Sequence, residues 1–126
     1  MTQGAQRETR QRKAIRRVFL DSSRPLTPEE VQEAGQRDVP GLGIATVYRN
    51  VKLLSGEGWL APVELPGSAV RYELSARPHH HHFVCTSCDQ AYDVHGCPPS
   101  VESMAPEGFT VDSHEIILYG VCPNCG

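Results

Sequence analysis

The sequence predicts an α+β protein of two modules. Residues 1–74 read as a winged helix-turn-helix unit, and residues 75–126 as a small α/β unit built around a four-cysteine metal site. Three observations carry this. Apolar residues recur at helical spacing through three successive segments of the first half, which ends in two strand-like runs. Four of the five cysteines fall in two Cys-x-x-Cys pairs near the end of the chain. Charge also divides: residues 1–66 hold ten Lys/Arg against eight Asp/Glu, a net +2, and residues 67–126 hold two against seven, a net −5. The first module suits a polyanion and the second suits cations.

Thr9 is placed to cap a first helix in which Ile15, Val18 and Phe19 form the apolar stripe. Arg10, Arg12, Lys13, Arg16 and Arg17 decorate its other faces, and the helix ends near Asp21-Ser22-Ser23. In LTPEEV the next start is sharper. Thr27 is the N-cap, Pro28 the first helical residue and Glu30 the third, which makes a capping box, with Leu26 and Val31 at the positions of a hydrophobic staple. That helix runs to about Gly35.

A third helix follows in GLGIATVYRNVKLLSGEG, where Val47, Val51 and Leu54 line one stripe and Tyr48, Arg49 and Lys52 stand on another. WLAPVEL and VRYELS read as two strands of a hairpin around Pro66-Gly67-Ser68-Ala69. An isolated run of arginines reads first as a solvated helix face. A basic first helix, followed by a third helix with a clean core stripe and an outward Tyr-Arg-x-x-Lys face, is what major-groove reading requires.

No apolar run approaches the ~18 residues of a membrane span, and MTQGAQRETRQRK lacks the apolar core of a signal peptide. The expectation is a cytoplasmic protein without membrane contact, and in a reducing compartment paired cysteines read as metal ligands rather than disulfides. Cys85-x-x-Cys88 and Cys122-x-x-Cys125 each follow a strand-like run, with thirty-three residues between them. Two such knuckles close a tetrahedron of thiolates, a structural zinc site with no position left for substrate. CPNC also resembles a redox motif, but such motifs work at a helix N-terminus, and here the sequence ends at Gly126.

HHHHFVC at 79–85 is explained by alternation. If the run is extended, His79 and His81 face one side and His80 and His82 the other, so one strand feeds two sites. Glu73, Asp93, Glu102 and His114 are the candidate partners. His95 and Cys97 read as a surface imidazole and an ordinary thiol.

With GIATVYR at 43–49, YEL at 72–74, HHHHFVCTSC at 79–88 and SHEIILYGVCPNC at 113–125, the chain resembles the ferric uptake regulator family of bacterial metal-dependent repressors over nearly its whole length. The resemblance implies a homodimer, with a winged-helix DNA-binding domain and a C-terminal dimerisation domain, on a palindromic A/T-rich operator. It implies structural Zn2+ on Cys85, Cys88, Cys122 and Cys125, and a regulatory Mn2+ or Fe2+, with Zn2+ as the alternative, on Glu73, His80, His82 and Asp93. An additional site would take His79, His81, Glu102 and His114. Thr46, Tyr48 and Arg49 fall in the recognition-helix motif, with Arg10, Arg12, Lys13, Arg16 and Lys52 as candidate phosphate contacts.

Three departures stand out. Pro25 replaces the histidine that iron- and peroxide-responsive members place before the second helix. Ala61 and Ser75 replace the aspartate and cysteine of zinc-responsive members. The segment from Cys97 to Phe109 is shortened, which leaves a stub for the dimerisation helix. Competing readings are a zinc-uptake regulator of the same family and, more remotely, a zinc-dependent enzyme or a metal buffer. A deaminase would need His-x-Glu before Pro-Cys-x-x-Cys, whereas this chain has His114-Glu115 and a proline inside CPNC.

Overall fold

The computed structural model describes residues 9–126, so part of the polar leader lies outside the described residues. The chain divides at Ala76/Arg77 into two compact units, two residues beyond the boundary expected from the sequence.

Helix α1 spans Arg10–Asp21, and its cap forms as expected, the Arg12 N–H donating to Thr9 Oγ1 at 3.0 Å. It buries Ala14, Ile15 and Phe19, while Val18 stays half-buried at the edge of the core. Helix α2, Pro28–Gly35, has both arms of the capping box: the Glu30 N–H donates to Thr27 Oγ1 at 3.1 Å, and the Thr27 N–H to Glu30 Oε1 at 2.9 Å. Leu26 and Val31 are both buried beneath it. At its end Gly35 permits a close approach, since a Cβ there would lie 2.7 Å from Leu42 Cδ2. The Leu42 carbonyl accepts from the side-chain amides of both Gln32 and Gln36. Helix α3, Ile44–Gly56, buries Val47, Val51 and Leu54, as its stripe predicts, together with Asn50. These helices enclose one core with Leu26, Leu42 and Leu60.

Strands β1 (Leu60–Val63) and β2 (Arg71–Leu74) pair antiparallel, with Leu60 opposite Leu74 and Ala61 opposite Glu73. They are shorter than the runs that predicted them. A turn closes between Leu65 and Ser68, with Pro66 and Gly67 (φ 69°) at its centre. The buried Arg71 guanidinium then donates to Ser68 Oγ at 2.6 Å and to the Ala69 carbonyl, tying up the loop that would otherwise extend the ladder. A feature invisible in the sequence is a reciprocal backbone bridge between Leu26 and Tyr72, at 2.9 and 2.8 Å, which stitches the turn before α2 to the hairpin.

The second unit is a three-stranded sheet in the order β4-β3-β5: β3 His80–Cys85, β4 Ala91–His95, β5 Ile117–Gly120. β3 runs antiparallel to β4 and parallel to β5. Gly120 brings the backbone against Phe83, whose Cζ would lie 3.0 Å from an added Cβ. Between Cys97 and Phe109 the helix stub is a single 3-10 turn, Val101–Met104. The buried apolar side chains here are few and small: Val84, Ala91, Cys85 and Cys122. Among the described residues no helix is long and apolar enough to cross a membrane.

Candidate metal centres and the exposed face of the third helix

Cys85 closes β3 and Cys122 follows β5, so the β3/β5 pairing delivers the two knuckles to one place. The donor atoms of Cys85, Cys88, Cys122 and Cys125 all lie within 4.8 Å of one another, with Cys88 Sγ and Cys122 Sγ 3.9 Å apart. Backbone N–H groups of Cys122 and Cys88 point at Cys85 Sγ at 3.4 and 3.5 Å, and these bonds lower that thiol to about 6. Hydrogen bonding, led by the Tyr92 hydroxyl, lowers Cys122, whereas the Cys122 side chain and burial push Cys125 up to about 12. Thiols so close cannot all ionise together without a cation. A tetrahedral ion removes the conflict and fits this donor set.

The histidines alternate as the extended run predicts. His80 and His82 rings lie together at 4.9 Å between centroids, and His79 and His81 at 4.6 Å. His80 Nδ1–H donates to the Pro78 carbonyl at 2.7 Å, which fixes the proton there and leaves Nε2 as the metal-facing lone pair. That Nε2 lies 3.5 Å from Asp93 Oδ1, and His82 Nε2 lies 3.9 Å from the same oxygen. Asp93 reaches them because β4 pairs it directly opposite His82. Its Oδ1 is buried and accepts no hydrogen bond, the condition of an atom set for a cation. Its Oδ2 is held by Arg77, a partner that sequence reasoning missed because only the sheet brings the two together. Glu73 sits in the other unit, buried on β2 opposite Ala61.

The other histidine face departs from expectation. Cys97, read above as an ordinary thiol, joins His79, His81 and His114, with all four donor atoms within 4.8 Å. Glu102, expected as the fourth ligand, instead places its carboxylate 3.7 Å from His114 Nδ1, the nitrogen turned away from Cys97. The 3-10 turn carries Glu102 past the cluster while the loop after β4 delivers Cys97. The shortened segment is the reason the sequence did not show this. His95, opposite His80 across β3/β4, is exposed. Burial, then the neighbouring imidazoles, hold His81 below the ordinary histidine value, so it is neutral and able to ligate.

On α3 the expected outward face is exposed: Tyr48, Arg49 and Lys52 all reach solvent. They are partly engaged with neighbours. The Tyr48 hydroxyl donates to Glu29 on α2 at 3.2 Å, and Arg49 donates to Thr46 Oγ1 at 3.1 Å. Two basic residues of α1 serve the fold as well. Arg12 Nε donates to the buried Asn50 Oδ1 at 2.9 Å, and Arg16 stacks 4.7 Å above the Trp59 ring. Arg10 reaches the Asp38 carbonyl at 3.4 Å, and Lys13 is exposed.

The model of the ferric uptake regulator family matches residues 3–119. The ferric uptake regulation protein of Campylobacter jejuni is 32% identical over 99% of this chain and 83% of its own length. A peroxide-responsive repressor of Staphylococcus saprophyticus is 30% identical over 94% of this chain and 82% of its own length. Among solved structures, a zinc-bound manganese uptake regulator superposes with a TM-score of 0.80 at 29% identity, covering 92% of this chain and 90% of that one. With its four-cysteine cluster, its paired histidine faces and this match over nearly the whole chain, the protein belongs to the ferric uptake regulator family and is a metal-responsive transcriptional regulator.

Proposed function

We propose that the protein is a homodimeric repressor that grips a palindromic A/T-rich operator through α3 when a labile metal site is filled by Mn(II) or Fe(II). The observation that carries the reading is the orientation of His80. With its Nδ1–H committed to Pro78, it presents Nε2 beside His82 Nε2 and the open Oδ1 of Asp93. The family resemblance adds Glu73 of the hairpin as the fourth ligand, which gives a two-nitrogen, two-carboxylate set without thiolate, and hard oxygen donors of that kind suit Mn(II) and Fe(II). Filling of this site would favour, by population shift, the DNA-competent state in which two α3 helices fit the operator.

Zinc is the second reading. With Pro25 in place of a domain-bridging histidine, four donors also close a tetrahedron, and Zn(II) binds such sites more tightly than Mn(II) or Fe(II) do. The related manganese uptake regulator was itself solved with zinc bound. Operator binding titrated with Mn(II), anaerobic Fe(II) and buffered Zn(II) decides between them. His80→Ala or His82→Ala removes the metal-induced gain with the fold intact. Activation by zinc alone would overturn the manganese/iron assignment.

A further inference from the structure

Cys97 Sγ lies 3.1 Å from His79 Nε2, 2.9 Å from His81 Nε2 and 3.4 Å from His114 Nε2, and the first two nitrogens are 3.2 Å apart. Ligand atoms about 2.0–2.3 Å from a tetrahedral ion stand roughly 3.3–3.8 Å from one another, so these donors are gathered to the spacing of a coordination shell. Glu102 stands behind His114 at Nδ1, where a carboxylate orients a ligating imidazole and raises its basicity. An open cleft of about 370 Å³ lies alongside, lined by His79, His114, Glu102, Asp112 and Glu115, an acidic approach for a cation.

We propose that His79, His81, Cys97 and His114 form a second thiolate-containing metal site, selective for thiophilic divalent ions of the Zn(II)/Co(II) type, with Glu102 as a positioning residue and not a ligand. Its three nitrogens and one sulfur differ in kind from the oxygen-bearing set around His80 and His82, so Mn(II) is a poor occupant.

Filling this site has a definite proton balance. The Ile116 N–H donates to His81 Nδ1 at 3.1 Å, which puts the proton of the neutral ring on Nε2, facing Cys97. A cation bound at Nε2 displaces that proton to Nδ1, with no net loss from the ring, while the Cys97 thiol releases its proton to solvent. The ring then carries its proton on Nδ1 and gives up the bond from Ile116, the residue immediately before β5.

The test uses the full-length protein with its four-cysteine zinc retained, titrated with Co(II) and followed by absorption while released zinc is measured. The expected result is one equivalent of tetrahedral cobalt with a thiolate-to-cobalt charge-transfer band and no released zinc. Cys97→Ser abolishes that band with an unchanged circular dichroism spectrum. By chelator competition it weakens zinc binding at this site by more than about 100-fold, against about 10-fold for Glu102→Gln. His114→Ala provides a second variant, and it also loses the band. A wild-type titration without the band, a band surviving in Cys97→Ser, or a larger loss from Glu102→Gln than from Cys97→Ser overturns the proposal. Operator binding plays no part in this readout, so its outcome is separate from that of the repressor reading.

Discussion

Arg49 is an exposed guanidinium on α3 that donates to Thr46 one helical turn back, a bond easily exchanged for a guanine edge. Arg49→Ala is expected to cost about 1–3 kcal/mol on the operator and much less on random DNA, as measured by competition binding. Equal losses on both would make it a phosphate contact. Lys13 and Arg16 separate in the opposite way. Lys13 is exposed to solvent, where phosphate can reach it, and Lys13→Ala should lower the slope of log affinity against log salt by about 1. Arg16 lies over Trp59, so Arg16→Ala should reduce stability by about 0.5–1 kcal/mol, read as a lower Tm. The sequence showed that α1 is basic. It did not show which cations the fold had already used, because Asn50 and Trp59 lie on other elements.

Helix α2 shows how element-level effects compete. Thr27→Ala removes one arm of the capping box and should destabilise by about 1 kcal/mol. Gly35→Ala sets two magnitudes against each other. Alanine is the better helix former by at most about 1 kcal/mol, less at a terminal position, but its Cβ would meet the buried Leu42 side chain at 2.7 Å. Overpacking of that kind costs about 1–3 kcal/mol, so a net loss is expected in thermal denaturation, and a gain would show that Leu42 has room to move. What was legible at this scale was local. The capping box, the Val47-Val51-Leu54 stripe and the alternation of His79 to His82 each follow from spacing within one element. The Leu26–Tyr72 bridge, the Arg77–Asp93 pair and the entry of Cys97 into the histidine cluster depend on which distant segments the sheets align. No periodicity encodes these.

At the scale of the whole molecule the two units hold themselves together differently. The first has a contiguous core running from Ile15 and Phe19 through Val47, Val51 and Leu54 to Leu60. The second buries Val84, Ala91, Cys85 and Cys122, too little apolar surface to offset the chain entropy of about fifty ordered residues. Its folding energy must therefore come largely from the ion that binds Cys85, Cys88, Cys122 and Cys125. Cys85→Ser makes the sharpest test. Its thiol is fully buried and accepts N–H groups from both knuckles, which lower it to about 6. The variant should lose about one zinc per chain, and amide protection through β3, β4 and β5 should collapse. The single tryptophan, Trp59, packs edge-on against Phe19 at 6.4 Å, wholly within the first unit, and so reports on that unit alone. Its fluorescence transition should survive in Cys85→Ser with a Tm near that of the wild type. Loss of the Trp59 transition together with the sheet would show that the first unit depends on the second for its stability. A variant that keeps its zinc and its β3–β5 protection would remove the four-cysteine site from its structural role.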